Sequence, residues 1–308
     1  FLVGILTRWA RIDLSSPLEK HLSLATLQRE RDQVRPPVRV GDRTYPLRNF
    51  ESQGHDFRLA AYDFVLGVHD VLYDQYQNAQ VRLQPDDVII DAGAFVGDTA
   101  VYFHHILQGR CRIHSFELLD ENLELLVHNL ERNRVPDECI VVNKMALTDR
   151  SGDEIVVASG STQGSTSMFG RQSAGPRVQT ITLDDYVALQ ELPRVDFIKM
   201  DIEGAEVGAL EGARHTIRHF RPRLAICLYH KWDDPVTIPR VLESFGVHYA
   251  YSFKWVQLTD GWEAVLLARP IDAAAPPQSP RDESRPQPLM NAFDALAEAY
   301  VRRCRAAR

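Results

Sequence analysis

Residues 88–99 read VIIDAGAFVGDT, and no other stretch restricts so tightly what this chain can fold into. Val88, Ile89 and Ile90 are β-branched and lead into the acid Asp91, the pattern of a short buried strand. A loop with Gly93 and Gly97 follows, and Asp98 and Thr99 then open a helix. A strand entering a helix through a glycine-bearing turn is how open α/β sheets build a ligand crevice. Glycine lets the backbone come close to a ligand and take φ angles that other residues avoid. A dinucleotide site uses G-x-G-x-x-G to set a pyrophosphate on the helix dipole. Here the spacing is D-x-G-x-x-x-G, with Phe95 and Val96 where a phosphate needs bare backbone. That disfavours a nicotinamide-dependent oxidoreductase.

The D-x-G-x-x-x-G stretch resembles the first motif of the class I S-adenosylmethionine-dependent methyltransferases, whose ligand carries an amino acid and no phosphate. The chain has 308 residues, room for one large α/β domain with appendages or two modest domains. Its net charge of −7 supplies no global basic field, which argues against nucleic acid as the main partner. Cys111, Cys139, Cys227 and Cys304 are scattered, with no C-x-x-C and no His at metal-ligand spacing. Three of them lie at or beside apparent strands and read as core thiols of a reducing compartment, which favours the cytoplasm. No apolar run reaches the roughly 18 residues that span a bilayer. The opening apolar run Phe1 to Leu6 is too short for a signal-peptide core, and the absence of an initial Met leaves room for an upstream piece.

Residues 1–84 read as an N-terminal extension covering the sheet or the substrate side. Ser16, Pro17 and Glu19 form a capping box for a helix that Pro36-Pro37 ends. Residues 38–47 read as a hairpin with Gly41-Asp42 in its turn, and 56–80 as one or two helices. The α/β rhythm begins at about residue 85 and runs to 270. Glu117 ends the strand after the first helix, where a carboxylate can accept hydrogen bonds from both ribose hydroxyls of a nucleoside. Residues 121–132 form an amphipathic helix. Ala146, following the next strand, is small enough to lie beneath an adenine ring, and Asp149 could help position that loop. Residues 159–170 are polar and glycine-rich, fitting a lid or a surface connector. Residues 271–289 are a proline-rich linker, and 290–308 an amphipathic helix with a basic tail. That helix docks on the core or on a partner subunit, which leaves a homo-oligomer open.

The second informative stretch, residues 195–213, reads VDFIKMDIEGAEVGALEGA. A strand runs into Asp201, Glu203 and Glu206, then a helix with Gly204, Gly208 and Gly212 along one close-packing face. Three carboxylates at one strand end need cations, backbone N–H groups or a ligand amine nearby. Glu203 and Glu206 also suit a helix N-terminus. Beyond the next strand, His230 stands at its C-terminal end and faces the crevice. A side chain titrating near neutrality suits removal of a hydroxyl proton, and a structural hydrogen-bonding role is the alternative. Tyr251 to Trp255 could present an aromatic wall to a sugar face or an apolar ring.

DAGAFVGDT, SFELLDENLELLVHN, ALTDRSG, the GSTS loop, VQTITLDDY and above all DFIKMDIEGAE closely resemble the FkbM family of methyltransferases, over roughly residues 85–269. The resemblance implies the class I methyltransferase fold: a Rossmann-like, mostly parallel, seven-stranded sheet with an antiparallel last strand. It implies S-adenosylmethionine as cofactor and a hydroxyl of a sugar, glycan or related natural product as acceptor. Cofactor contacts are then expected from Asp91, Gly93, Ala94, Phe95, Gly97, Asp98, Thr99, Glu117, Ala146 and Asp201. His230, Asp201 and Glu203 are expected around the reacting groups, with Glu206 near the acceptor. A divalent ion at the carboxylates is a weaker variant. The reading from another class is a non-catalytic S-adenosylmethionine-binding scaffold that recruits a partner through its terminal helices.

Overall fold

The computed structural model describes residues 10–14, 36–50, 54–62, 74–159, 166–167, 175–257 and 262–271. Its centre is an eight-stranded sheet. In chain order its strands are β1 (Ala10–Leu14), β6 (Asp87–Ala92), β7 (Cys111–Phe116), β8 (Ile140–Asn143), β14 (Phe197–Met200), β15 (Arg223–Cys227), β16 (Tyr249–Gln257) and β17 (Trp262–Pro270). Their spatial order is β1-β16-β17-β15-β14-β6-β7-β8. Strand β17 runs antiparallel between β15 and β16, and the other neighbouring pairs are parallel. Seven of these strands reproduce the expected mostly parallel sheet. The eighth, β1, pairs in parallel with β16 from Ala10↔Tyr251 to Leu14↔Trp255, so the N-terminal extension adds an edge strand that local periodicity does not announce.

Strand alternation explains the layers. Ile90, Ala92, Ile198, Met200, Leu224, Ile226 and Leu266 point to one face and are buried there. Three groups of helices cover that face: α3 (Leu183–Leu189), the pair α4 (Glu206–Glu211) and α5 (Arg214–Phe220), and α6 (Asp234–Ser244). Ile89, Ile113, Phe197, Ala225, Cys227, Val265 and Leu267 point the other way. There α1 (Asp98–Ile106) and α2 (Asp120–Arg132) pack through Val101, Phe103, Leu126 and Leu130. Every residue of β6 and β14 is buried, as expected of central parallel strands covered on both faces.

The described part of the extension is β-rich rather than helical. Strands β2 (Val38–Val40) and β3 (Arg43–Tyr45) form the expected hairpin about Gly41 and Asp42. A second pair, β4 (Leu47–Asn49) and β5 (Arg58–Ala60), lies where 56–80 was expected to begin a helix. The reason is tertiary. Asn129 of α2 pairs with Ala60 N at 2.7 Å and Ala60 O at 2.8 Å, and Asn133 pairs with Arg58 N at 3.0 Å and Arg58 O at 2.8 Å. Two side-chain amides thus replace a missing sheet neighbour, and the strand gains partners a helix could not use there.

A small sheet, β9 (Ala146–Leu147), β10 (Glu154–Val156) and β13 (Arg177–Ile181), flanks the core, with β11 (Ala158–Ser159) paired to β12 (Thr166–Ser167) beside it. Of the three glycines expected along one helix face, only Gly208 lies within α4; Gly212 caps its C-terminus, where a Cβ would fall 2.0 Å from Thr148 O, and Gly204, at φ +95°, precedes the helix and faces His230 and Lys231. The capping-box helix, most of the polar loop, the linker and the C-terminal helix lie outside the described residues. Among the described residues, no helix is long and apolar enough to cross a membrane. Cys139 and Cys227 are buried and Cys111 half-buried, all three as free thiols.

Candidate active site

The loops leaving the C-terminal ends of β6, β7, β14 and β15 converge on one crevice, the place where open α/β sheets bind ligands. The first is the loop of 93–97. Gly93 N and Ala94 N donate to Phe116 O at 3.0 and 2.9 Å, fastening the loop to the neighbouring strand. Gly93 sits at φ +80°, and a Cβ there would fall 1.8 Å from Asp201 O, so only glycine lets the β6 and β14 ends meet. Ala94 and Thr99 are buried. Gly97 caps α1, whose first turn begins with Asp98. Phe95, at φ +47°, lays its ring 5.6 Å from that of Tyr62 in the extension.

Asp91 does not line the crevice. It is fully buried behind the loop, with Lys199 Nζ 3.2 Å from its Oδ1. Lys199, 1% exposed, also donates to Gly93 O at 2.6 Å and faces the Tyr76 ring at 5.2 Å. Burial pushes the Asp91 carboxyl up and Lys199 opposes it. Lys199, shared between Asp91 and the Gly93 carbonyl, ties the strand end to the loop.

Glu117 stands at the end of β7 as expected and is 6% exposed. Its Oε2 accepts from Phe95 N at 2.9 Å, and its Oε1 from Leu118 N and Leu119 N at 2.7 and 2.9 Å. Burial raises its pKa against these hydrogen bonds and one from Asn122. The carboxylate therefore ties the glycine loop to the entry of α2. Ala146 is buried beside Leu118 and Leu119, on the same side of the crevice.

Asp201, Glu203, Glu206 and His230 meet at the ends of β14 and β15. His230 Nδ1 lies 2.8 Å from Glu206 Oε1, and its Nε2 lies 3.3 Å from Asp201 Oδ1 and 3.7 Å from Glu203 Oε2. Burial disfavours a charge on the ring, but the contacts with Asp201 and Glu206 outweigh it and push the His230 pKa up to about 11. The carboxylates on its two nitrogens favour the protonated ring. In this arrangement His230 is the cation that lets the carboxylates share one strand end.

Burial would raise Asp201, yet His230, Lys199 and Tyr229 hold it well below the usual carboxylate range. Glu203 differs. Its side chain is 42% exposed, and burial together with Asp201 and Glu206 raises its pKa. Its backbone sits at φ +55°, a left-handed conformation that costs a non-glycine residue about 1–3 kcal/mol.

Two tyrosines to which the sequence assigned no role complete the cluster. Tyr76 OH donates to Asp201 Oδ2 at 2.9 Å and Tyr229 OH to Asp201 Oδ1 at 2.8 Å. Tyr229 adjoins His230 and could have been suspected; Tyr76 arrives from the extension, 125 residues away in the chain. Of the expected aromatic wall, Tyr251 at 9% exposed and Phe253 at 2% belong to the core, and the Trp255 side chain lies outside the described ones.

The donor set fits S-adenosylmethionine, whose sulfonium and ammonium are cationic. Three carboxylates face a single imidazolium, leaving the crevice net negative, and Glu206 Oε2 is buried without a hydrogen-bond partner. The divalent-ion variant draws no support: among the described residues, no group of three or more His, Cys, Asp or Glu has a metal-binding arrangement.

An antiparallel strand inserted beside the fifth parallel one, over a D-x-G-x-x-x-G crevice with strand-end acids, defines a class I methyltransferase fold. Residues 91–253 match the methyltransferase FkbM domain, and the chain belongs to that family. It is similar to the hexuronic acid methyltransferase AglP of Haloferax volcanii, with 25% identity over 164 residues that span 52% of this chain and 62% of that relative. It also resembles the crystal structure of methyltransferase FkbM from Methylobacillus flagellatus KT, with a TM-score of 0.50 and 22% identity. That match covers 66% of this chain and 52% of the other.

Proposed function

We propose that this protein is an S-adenosylmethionine-dependent O-methyltransferase acting on a hydroxyl of a sugar or glycan. Family membership and the likeness to a hexuronic acid methyltransferase support the reaction class and the kind of acceptor. The observation that carries the reading is the contrast within the carboxylate cluster. Asp201 and Glu206 are neutralised by His230, whereas Glu203 is left half open with a raised proton affinity.

When bound, S-adenosylmethionine supplies a methyl group made electrophilic by its sulfonium. The chain's own task is to hold a hydroxyl in line with that methyl and to receive its proton. In this reading Glu203 Oε2 accepts that proton, and the imidazolium 3.7 Å away stabilises Glu203 as a carboxylate beforehand. Asp201, locked by Tyr76 and Tyr229, keeps His230 in place. Gly93 to Gly97, Glu117 and Ala146 frame the nucleoside end, with Lys199 and Asp91 beneath.

The test is calorimetric titration with S-adenosylmethionine, S-adenosylhomocysteine and NAD, followed by transfer of labelled methyl to a panel of glycosides. Binding of the first two and not of NAD is expected. Glu203→Gln is expected to keep S-adenosylhomocysteine affinity and lose about 10²- to 10⁴-fold in turnover. No binding of S-adenosylhomocysteine by the wild type, or full turnover by Glu203→Gln, defeats the proposal.

A further inference from the structure

Trp232 is 70% exposed, the most exposed large apolar side chain among the described residues. The other two, Leu189 at 67% and Val127 at 45%, lie away from the crevice. Leu189 ends α3, which returns the chain to the start of β14 at the opposite edge of the sheet, and Val127 sits midway along α2. Trp232 instead follows β15 directly, on the connection to α6 at the ligand-binding edge.

The backbone that carries it is pinned on both sides. Lys231 N donates to Asp234 Oδ2 at 2.7 Å, and that aspartate is 1% exposed. Val236 N and Thr237 N both donate to Asp233 O at 2.9 Å, closing the first turn of α6. The same loop packs on the Glu203 turn: a Cβ on Gly204 would lie 3.2 Å from Lys231 Cε and 3.7 Å from His230 Cβ. Trp232 and Glu203 therefore border one rim.

We propose that Trp232 is the positioning platform for the acceptor, stacking its indole on the C–H face of a pyranose ring. The inference rests on the methyltransferase reading and deepens it. A pyranose is amphipathic: its ring C–H bonds form an apolar face, and its hydroxyls project around the edge. An indole matches both, with a large rigid apolar surface and one N–H donor. A ring laid flat on Trp232 turns edge hydroxyls toward the rim where Glu203 stands. Because the loop is already fixed, little ordering is needed on binding.

Binding can be measured apart from turnover. Wild type, Trp232→Ala and Trp232→Phe, each saturated with S-adenosylhomocysteine, would be titrated with methyl β-D-glucuronide and methyl β-D-glucoside by saturation-transfer NMR. The substitutions are at the surface and leave the core intact. The expected result is transfer to the ring C–H protons of at least one glycoside. Affinity should fall about tenfold in Trp232→Ala and stay within about threefold in Trp232→Phe, with S-adenosylhomocysteine affinity constant throughout. Equal glycoside binding by wild type and Trp232→Ala overturns the platform. So does a wild type that binds S-adenosylhomocysteine but neither glycoside, or a Trp232→Ala variant that converts a dimer to a monomer in solution. A wild type that binds no S-adenosylhomocysteine refutes the underlying enzyme reading, and the platform with it.

Discussion

Replacing Lys199 by Met tests whether the crevice stands on a buried ion pair. Methionine nearly conserves the volume of the lysine stem, so the change removes one charge and its hydrogen bonds more than it opens a cavity. Asp91, fully buried, then loses the ammonium 3.2 Å from its Oδ1, and Gly93 O loses its 2.6 Å donor. Deleting one partner of such a pair destabilises by about 3–5 kcal/mol. With a urea m-value of about 3 kcal/mol/M, the unfolding midpoint should drop by about 1–1.7 M.

The pH dependence has a definite sign. In the variant only burial acts strongly on Asp91, so its folded pKa lies above the unfolded one. The penalty is then smallest below about pH 4 and deepens by up to about 1.4 kcal/mol per pH unit until the folded pKa is passed. Adding Asp91→Asn to Lys199→Met removes the stranded carboxylate and should recover more than half of the lost stability. S-adenosylhomocysteine affinity should stay low in the double variant, because the Gly93 carbonyl is still unsupported. A single variant within about 1 kcal/mol of wild type, or a double variant no more stable than the single, would refute the argument.

Two further outcomes follow from the same geometry. The His230 pKa of about 11 lies above the ordinary value of 6.5, so its charge stabilises fully below about pH 6.5 and fades as pH rises through about 11. Destabilisation by His230→Gln, read from thermal melts across pH, should shrink steadily over that window; a penalty already gone by pH 8 would mean that the imidazole titrates normally. Gly93→Ala places a Cβ 1.8 Å from Asp201 O at a φ of +80°, so both the melting temperature and S-adenosylhomocysteine affinity should fall sharply. Wild-type values for both would show that the two strand ends do not meet there.

The motifs around Asp91, Glu117 and Asp201 were legible because their signals are local. β-branched runs make buried strands, a glycine at a strand-to-helix turn marks close backbone approach, and acids at strand ends face the crevice of an open sheet. The chemistry of those acids was not legible in the same way, because proton affinity depends on what else arrives. His230 looked like a neutral base until two carboxylates were found on its two nitrogens. The Lys199 ammonium beside Asp91, which also donates to the Gly93 carbonyl, comes from the neighbouring strand and is not visible from Asp91's own stretch.

The extension shows the limit most plainly. Residues 58–60 carry no strong strand pattern, yet they are strand because Asn129 and Asn133 offer backbone-like partners from a helix some 70 residues later. Tyr76 reaches Asp201 across 125 residues, and β1 joins the sheet beside a strand more than two hundred residues downstream. From about residue 85 onward the α/β order, the crevice-forming turns and the family were written in the sequence, since each rests on neighbours within a few residues. Which carboxylate is quenched, which is left open and which tryptophan stands in water were decided by tertiary structure, because burial and charge at a point are set by every element that packs against it.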